Sequence, residues 1–424
     1  MKHHTIKYLI FFAAAGFLYL PGIPSQEPAP AELTLDQCIE ISLVRNPLWL
    51  ASEQDIRASL ARIEKARAIP QPSLDFDSDL QPRLLDFGGS GESYFGLSQT
   101  VEFPGRRALR TKIARLESAE ASADRSILRA EIIFQIKEAF YSVLLAEEKR
   151  KYAVQDLDLA RDFLQKAKVK FEAGDVARVE IVRAGVEESK AATALAVAEN
   201  QIHLEKARLN YLLGRQKAEP LSVRGDLVRA RMEFDLENLI LKAMTARPEM
   251  AGMKARIDRG AAMKKEAGLS YLPDFDLGVA RHRIDGEKTT WDFTLSLPLP
   301  LFFWQPMRGD IAEAEAGLLS LRHQAQQLAN TIRLEVEQSG LQAQSAAGQI
   351  SLFQDQILKQ AQEVYDLFLY SFQEGEITGI ELIEARRTLI ESLKSYADAL
   401  YVYNMALASL EKSVGEPLHG GQSE

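Results

Sequence analysis

Two glutamates stand one helical turn apart in the segment SFQEGEITGIELIEARR, which covers residues 371–387. Glu381 and Glu384 follow a single glycine, Gly375, that interrupts a long helical pattern of apolar residues. Thr378 and Glu381 have the T-x-x-E spacing of a capping box, in which the carboxylate accepts a hydrogen bond from the Thr378 backbone amide. The capping box gives Glu384 no such role. Two projecting carboxylates would instead attract cations.

An earlier segment repeats this pattern. Residues 170–184, KFEAGDVARVEIVRA, contain a phenylalanine, a glycine and a glutamate at the same spacing. The matching pairs are Phe171 and Phe372, Gly174 and Gly375, and Glu180 and Glu381. The sequence therefore predicts two helix breaks of the same kind.

No enzymatic constellation accompanies these carboxylates. The sequence has no HExxH or GxSxG motif and no glycine-rich phosphate loop, and its six histidines are not clustered around a motif. We therefore expect no catalytic residue, no cofactor and no metal site. The formal charge of -9, the pI near 5.5 and the absence of a Lys/Arg block argue against a nucleic-acid partner.

The N-terminal residues predict a secretory signal. Basic MKHHTIK precedes the thirteen apolar residues Tyr8 to Leu20, a run too short to span a bilayer, and small residues follow. We predict a signal peptide over residues 1–25 with cleavage near Ser25. An uncleaved anchor helix is the alternative. The only cysteine, Cys38, is interpreted as a buried helix residue.

The chain after this signal is a duplicated unit. Matching prolines and glycines recur at one offset of 201 residues, and the pairs are Pro47 and Pro248, Pro72 and Pro273, Gly174 and Gly375, and Gly214 and Gly415. We predict a first repeat over residues 33–214, a second over 235–415 and a disordered tail over 416–424.

Each repeat predicts two helical rods of similar length. From Arg106 to Phe171 the sequence lacks proline and glycine, and its apolar residues follow a three-four spacing. Such a helix would be about 100 Å long. The second repeat predicts a matching helix over Arg308–Phe372. Shorter helices laid end to end give the other rods, Pro47–Pro70 with Val176–Leu213 and Pro248–Leu272 with Thr378–Val414.

Between the rods, alternating residues predict one β-hairpin in each repeat, at about residues 74–103 and 274–303. Membrane barrels begin at about eight strands, so four amphipathic strands cannot close one and the chain must oligomerise. Aromatic residues near the strand ends, Tyr94, Trp291 and Trp304, are predicted to lie at membrane interfaces. A soluble sandwich with one polar face is the alternative.

Together these features resemble the TolC-like outer-membrane efflux proteins. The resemblance rests on the duplication, the opening LTLDQCIEISLVRNP, LSQTVEFPGRR at a strand-to-helix junction, the KFEAGD and SFQEGE breaks, and the ending ALASLEKSVG. It covers nearly all of the chain after the signal. It implies a mainly α fold with a membrane β-barrel, in which a homotrimer forms a twelve-stranded barrel among outer-membrane lipids and a periplasmic α-barrel of long helices. Three chains of four strands agree with that count.

The resemblance also implies a function. Such a protein is the passive outer-membrane duct of a tripartite efflux system, exporting small toxic solutes or metal ions that an inner-membrane pump and a periplasmic adaptor protein deliver. The turns at Gly174 and Gly375 would form the periplasmic tip that contacts the adaptor, with Phe171, Glu180 and Phe372 beside them.

At that tip, the resemblance implies that Glu381 and Glu384 form acidic rings around the channel entrance. Phe372 and Ile377 stand where polar residues help to hold some relatives closed. Two alternatives remain open at this point. One is a channel for type I protein secretion, and the other is a periplasmic adaptor. Two helical hairpins and two strand pairs speak against the adaptor.

Overall fold

The computed structural model describes residues 32–79, 91–215, 220–227, 235–284, 286–299, 301–302 and 304–418. The predicted signal peptide, most of the first hairpin loop and the end of the predicted tail lie outside these ranges. No helix in the described part of the chain is long and apolar enough to cross a membrane.

The longest helix, α3 (Arg106–Ala173), confirms the first predicted rod. Its 68 residues would extend about 100 Å at about 1.5 Å per residue. It begins after Pro104 and Gly105, where the preceding strand stops because proline cannot donate to a sheet ladder. It ends at Gly174, whose φ of 85° lies in the left-handed region that favours glycine.

The second long rod is interrupted, so the prediction of one unbroken helix was wrong in this respect. Helix α7 (Trp304–Leu352) passes through a π-helical turn, Phe353–Ile357, before continuing as α8 (Leu358–Glu374). Such a turn inserts one extra residue without a proline or glycine. Its residues pack against Tyr396, since the Phe353 ring lies 6.1 Å from the Tyr396 ring and the Gln354 amide donates to the tyrosine hydroxyl at 2.7 Å.

The remaining elements are shorter. The other helices are α1 (Leu35–Arg45), α2 (Pro47–Arg67), α4 (Arg178–Leu212), α5 (Leu236–Ala246), α6 (Pro248–Leu269) and α9 (Gly379–Val414). The strands are β1 (Glu32–Leu33), β2 (Ser73–Asp79), β3 (Glu92–Val101), β4 (Ser222–Val223), β5 (Phe275–Ile284) and β6 (Thr290–Ser296).

The described helices form four rods that lie side by side in a fixed order. Helices α2 and α4 both pack on α3, α6 and α9 pack on α3 from another side, and α7 and α8 follow next to α6 and α9. Gly214, which follows α4, abuts the junction of α1 and α2, and Gly415 after α9 abuts the junction of α5 and α6. The shorter helices therefore stack end to end, as predicted.

The main sheet keeps the same order. Its described strands run β2-β3-β5-β6, and all neighbours are antiparallel. Each strand joins a rod directly, so the sheet extends the helical layer at one end. A separate parallel pair, β1 with β4, joins the start of the first repeat to the segment between the repeats.

The largest core cluster lies midway along the rods. Ile136 and Val143 of α3 pack there with Tyr403 of α9 and Cys38 of α1, all of them fully or almost fully buried. Burial, partly opposed by the charge of Arg215, raises the pKa of the Cys38 thiol to about 11. The interpretation of Cys38 as a buried helix residue is confirmed, and its thiol stays protonated at neutral pH.

The main sheet has one apolar and one polar face, and both are open in the single chain. Register places Leu97 beside Val279, and Phe95 lies on the same face. Tyr94 lies on the opposite face, where its ring meets His282 at 5.9 Å. Tyr94 and Phe95 therefore lie on opposite faces of the sheet, and the placement of Tyr94 at a membrane interface stays a prediction.

Trp291 is exposed on the apolar face of β6, at the end of the sheet that is remote from the rods. Trp304 is exposed at the first residue of α7, and its ring lies 5.8 Å from that of Phe302. Trp291 thus lies at the remote end of the main sheet, and Trp304 lies beyond its other end, at the start of a rod. Their placement at membrane interfaces stays a prediction.

Candidate functional site

The two glycine breaks lie together at the end of the rods that is remote from the sheet. We call the turns at residues 171–178 and 372–379 the tip. Gly174 and Gly375 have φ angles of 85° and 84°, and each turn closes through a bond from its glycine amide to the phenylalanine carbonyl three residues earlier, at 3.0 and 3.2 Å. The repeated pattern in the sequence is therefore one turn geometry built twice.

The second turn begins its helix with the predicted cap. The Thr378 backbone amide donates to Glu381 Oε2 at 2.8 Å, and the Thr378 hydroxyl donates to the same oxygen at 3.0 Å. These hydrogen bonds, the backbone one foremost, lower the pKa of Glu381 below its ordinary value. The side chain is nevertheless exposed, so it carries a charge that solvent and solutes can reach.

Glu384 lies one turn further along α9 and is also exposed. Arg387 Nη1 donates to its Oε1 at 3.0 Å in a surface ion pair. Exposed pairs of this kind are worth little and dissociate easily. Glu384 therefore remains available to interact with mobile ions, and the cap at Glu381 does not remove that residue's charge either.

The two tip phenylalanines differ in environment. Phe372 is 2% exposed, and its ring meets the Phe163 ring at a centroid distance of 5.3 Å. The Lys170 ammonium lies 5.7 Å from the same ring. Phe171 is 41% exposed. Phe372 therefore holds the two hairpins together, while Phe171 offers an apolar surface.

Glu180 lies between the two turns. Its Oε1 accepts a bond from Arg183 at 2.7 Å, whereas its buried Oε2 has no hydrogen-bond partner among the described residues. A Cβ on Gly379 would lie 2.3 Å from that oxygen, so only glycine allows the carboxylate this position. A groove of about 500 Å³ beside it is lined by both turns.

One functional residue of this region, Arg386, was not predicted from the sequence. It is 6% exposed and bonds to Glu187 Oε2 of α4 at 2.8 Å and to Asp156 Oδ1 of α3 at 3.1 Å. It thus ties three helices together just above the tip. The signal was present, because Arg386 shares a helical stripe with the buried Leu382 and Leu389.

Among the described residues, no group of three or more His, Cys, Asp or Glu side chains could hold a metal ion. What the tip offers is an exposed acidic surface and a groove between two helical turns.

This architecture defines a class of protein: long duplicated helical hairpins that continue into an amphipathic sheet. The family model described as outer membrane efflux protein matches residues 38–215 and 239–416. The chain therefore belongs to the outer membrane efflux protein family. It is an outer-membrane efflux channel with a large helical periplasmic portion, as the resemblance implied.

Individual relatives agree with this assignment. The chain is 23% identical to the cobalt-zinc-cadmium resistance protein CzcC of Cupriavidus metallidurans, over 94% of each chain. It is 25% identical to the pyoverdine export outer membrane protein OpmQ of Pseudomonas aeruginosa, over 88% of this chain and 83% of the other.

Solved structures share the fold. A CusC structure matches with a TM-score of 0.77 and 15% identity, covering 93% of this chain and 96% of the other. The outer membrane protein VceC of Vibrio cholerae matches with a TM-score of 0.74 and 16% identity, over 90% and 96%. The predicted fold class, long periplasmic helices with four strands per chain, is confirmed.

Proposed function

We propose that three copies of this chain assemble into a continuous outer-membrane and periplasmic duct, which receives solutes from an inner-membrane pump through a periplasmic adaptor. The observation that carries the proposal is the lateral order of the elements. Within the described residues, β2 and β6 are the outer strands of the sheet, and each has an unpaired edge. An open edge of this kind must find a partner strand.

The helical layer supports the same assembly. Helix α4 packs on α3 at one end of the order, and α8 packs on α9 at the other. Both carry exposed apolar side chains at the level of the tip: Val186 of α4 is 49% exposed and Leu367 of α8 is 60% exposed. Joining α4 of one copy to α8 of the next would bury these residues and close a ring.

Threefold closure is what the family resemblance implies, and the strand count is compatible with it. Each chain contributes four strands, and about eight is the smallest number that closes a membrane barrel. In the resulting twelve-stranded barrel, the apolar face would contact outer-membrane lipid and the polar face would line the lumen. We assign one hairpin of this barrel to each repeat, 33–214 and 235–415.

In the assembled duct the tip would be the periplasmic entrance. Three copies of Glu381 and Glu384 would surround one axis, and their combined negative field would attract cations. The groove beside Glu180, with Phe171 on the outer surface, would receive the adaptor. Gly174 and Gly375 keep both turns tight, which allows the two hairpins to line the groove that would receive the adaptor.

The cargo we propose is metal ions or small toxic solutes. The support is the names of the relatives: CzcC is a cobalt-zinc-cadmium resistance protein and OpmQ is a pyoverdine export protein. A duct need not bind its cargo, so the lack of a metal-binding group in the described residues does not bear on this choice.

Cross-linking tests the assembly. A Val186→Cys/Leu367→Cys variant, extracted in detergent and treated with a short bis-maleimide, should give covalent trimers on a denaturing gel. The native Cys38 is buried and should not react. Each single variant is the matched control, because threefold symmetry keeps identical positions apart. Monomers alone from the double variant, or equal cross-linking in the singles, would contradict the α4–α8 interface.

Cargo needs a separate test. The channel should be co-expressed with candidate pump and adaptor pairs in cells that lack their own channel, and growth should be compared in zinc, cobalt and organic toxicants. Protection that requires all three components identifies the cargo. If the pump and adaptor protect the cells equally well without the channel, the channel does not belong to that efflux system.

A further inference from the structure

Two arginines interrupt the apolar face of the main sheet. Along β5, Arg281 and Arg283 alternate with residues of the polar face, so both lie on the apolar face with Leu277 and Val279. Both are exposed. Register places Arg281 between Phe95 of β3 and Trp291 of β6, and both aromatic side chains are exposed on the same face.

Their position along the sheet is defined by the chain direction. Strand β5 leaves α6 and runs away from the rods, so Arg281 and Arg283 lie at the end of the sheet that is remote from the periplasmic portion. Arg281 is level with Trp291, and Arg283 lies about 7 Å further out along the strand. Tryptophan is enriched at the headgroup level of membranes, so both guanidinium groups would reach that level on the outer side.

Neither arginine is neutralised by another residue in the part of the chain that the structure describes. No described residue forms an ion pair or hydrogen bond with Arg281 or Arg283, whereas on the polar face His282 is paired with Glu92 at 2.7 Å and Asp292 at 3.4 Å. A charged side chain on the lipid face is destabilising unless it reaches the interface. The two positive charges therefore need an anionic partner at the membrane surface.

We propose that Arg281 and Arg283 bind the phosphate group of an anionic lipid in the outer leaflet of the outer membrane. Guanidinium groups bind phosphate oxygens in a bidentate manner, which an ammonium group cannot do. The exposed apolar side chains nearer the rods on the same face, Leu97 and Leu277 among them, would contact the acyl chains of the same lipid. Free phosphate would gain nothing from those contacts, so the site favours a lipid.

This inference rests on the proposed function, because it requires the apolar face to contact lipid. The experiment compares the wild-type trimer with Arg281→Gln/Arg283→Gln by native mass spectrometry. Bisphosphorylated lipid A, its dephosphorylated form and phosphatidylcholine are the probes. Arg62→Gln/Arg322→Gln is the matched control, since it removes two exposed arginines from the rods.

We expect the wild type to bind bisphosphorylated lipid A more tightly than either phosphate-free or zwitterionic lipid. The Arg281→Gln/Arg283→Gln variant should lose affinity about tenfold, as expected for charge-assisted bonds from two guanidinium groups. The control should not change. Equal affinity in both arginine variants, or no dependence on the lipid phosphates, would overturn the proposal.

Two further measurements use the wild type alone, so their outcome does not depend on whether the arginine variant folds. They also separate a failure of the arginine site from a failure of the proposed function. Wild-type binding should weaken as sodium chloride is raised, because exposed charges are screened, and insensitivity to salt would contradict the site. Millimolar inorganic phosphate should not displace lipid A, and displacement would assign the site to free phosphate. If the wild type forms no detergent-dependent trimer, the proposed function fails. A trimer that shows no preference for phosphorylated lipid refutes the arginine site alone.

Discussion

Replacement of Arg386 by leucine should loosen the contact between α4 and α9 far more than the same change at its neighbour. Arg386 is buried between Glu187 of α4 and Asp156 of α3, with guanidinium–carboxylate distances of 2.8 and 3.1 Å. Arg387 is exposed and pairs only at the surface, with Glu384 at 3.0 Å. Adjacent positions on one helix thus provide a test and its control.

The magnitude follows from what the substitution leaves behind. Removing one member of a buried ion pair typically costs about 3–5 kcal/mol, because the remaining charge loses its partner. Glu187 keeps a second partner, since Lys190 Nζ lies 2.7 Å away and is itself largely exposed. We therefore expect the lower end of the range, about 3 kcal/mol, for Arg386→Leu. The exposed pair at Arg387 should contribute less than about 1 kcal/mol.

Hydrogen exchange measures this locally. About 3 kcal/mol corresponds to an increase of about a hundredfold in the opening equilibrium. Amides of α4 around Glu187 should therefore exchange about a hundredfold faster in Arg386→Leu. In Arg387→Leu the increase should stay below about fivefold. Trimers of both variants should be compared in the same detergent, so that only the local contact differs.

Equal exchange in the two variants would refute the reasoning, as would an unchanged rate in Arg386→Leu. A second variant tests the cause. In Arg386→Leu/Glu187→Leu the Arg386–Glu187 pair is replaced by two apolar side chains and only the more exposed Asp156 loses its partner, so part of the lost protection should return. If the double variant exchanges faster than Arg386→Leu, the uncompensated Glu187 charge is not the cause.

The same pair has a pH dependence with a defined sign. Burial raises the pKa of Glu187, but the hydrogen bond from Lys190 and the charges of Lys190 and Arg386 outweigh it, so the pKa lies below its usual 4.5. A lowered carboxyl pKa stabilises the fold above the ordinary pKa and ceases to do so as pH falls through the lowered value. Protection of α4, corrected for intrinsic exchange, should therefore fall below about pH 4.5.

Three further predictions concern the turns and the faces. Gly214→Ala should destabilise the helices much more than Gly174→Ala in thermal melts followed by circular dichroism. Both glycines have positive φ, but a Cβ at 214 would lie 2.6 Å from a backbone oxygen whereas nothing lies within 4 Å at 174; equal melting temperatures would contradict this. In planar bilayers, Glu381→Gln/Glu384→Gln should weaken cation preference and divalent block with the trimer intact, and unaltered selectivity would reject the acidic entrance. A cysteine at Gly286, in the turn between β5 and β6, should be labelled on intact cells, and labelling no better than at a residue in the rods would contradict an outer-surface loop.

Much of the fold is predictable because the chain follows local rules over long distances. The absence of glycine and proline from Arg106 to Phe171 specifies α3, and the offset of 201 residues relates one repeat to the other. The π-helical turn at Phe353–Ile357 could not be predicted in this way. Its residues are compatible with an ordinary α-helix, and the extra residue is accommodated by a tertiary contact with Tyr396.

The tip shows the same limit more sharply. Spacing alone predicted that Glu381 would cap its helix, because a capping box is a local structure. It could not show that Phe372 is buried while Phe171 is exposed, since both occupy the same place in their repeats. The burial of each phenylalanine depends on which rods lie next to it, and the order of the rods is set by tertiary packing.

The two repeats differ in sequence at positions where one repeat contacts the other. An offset of 201 residues pairs Thr378 with Ala177, so the second copy caps its helix with Glu381 while the first copy has no hydroxyl at that place. Glu180 therefore turns one oxygen to Arg183 and the other toward the neighbouring turn.

The same offset pairs Arg386 with Gly185, and the arginine of the second copy bonds to Glu187 of the first. Long helices with a repeating apolar pattern could pack in more than one register, because an apolar contact shifted by one repeat of the pattern meets a similar contact. Unequal hairpins with a buried charge pair have a single good alignment, since any shift would leave Arg386 buried without a carboxylate. The duplication supplies the shape of the duct, and the divergence between copies fixes how its two hairpins align.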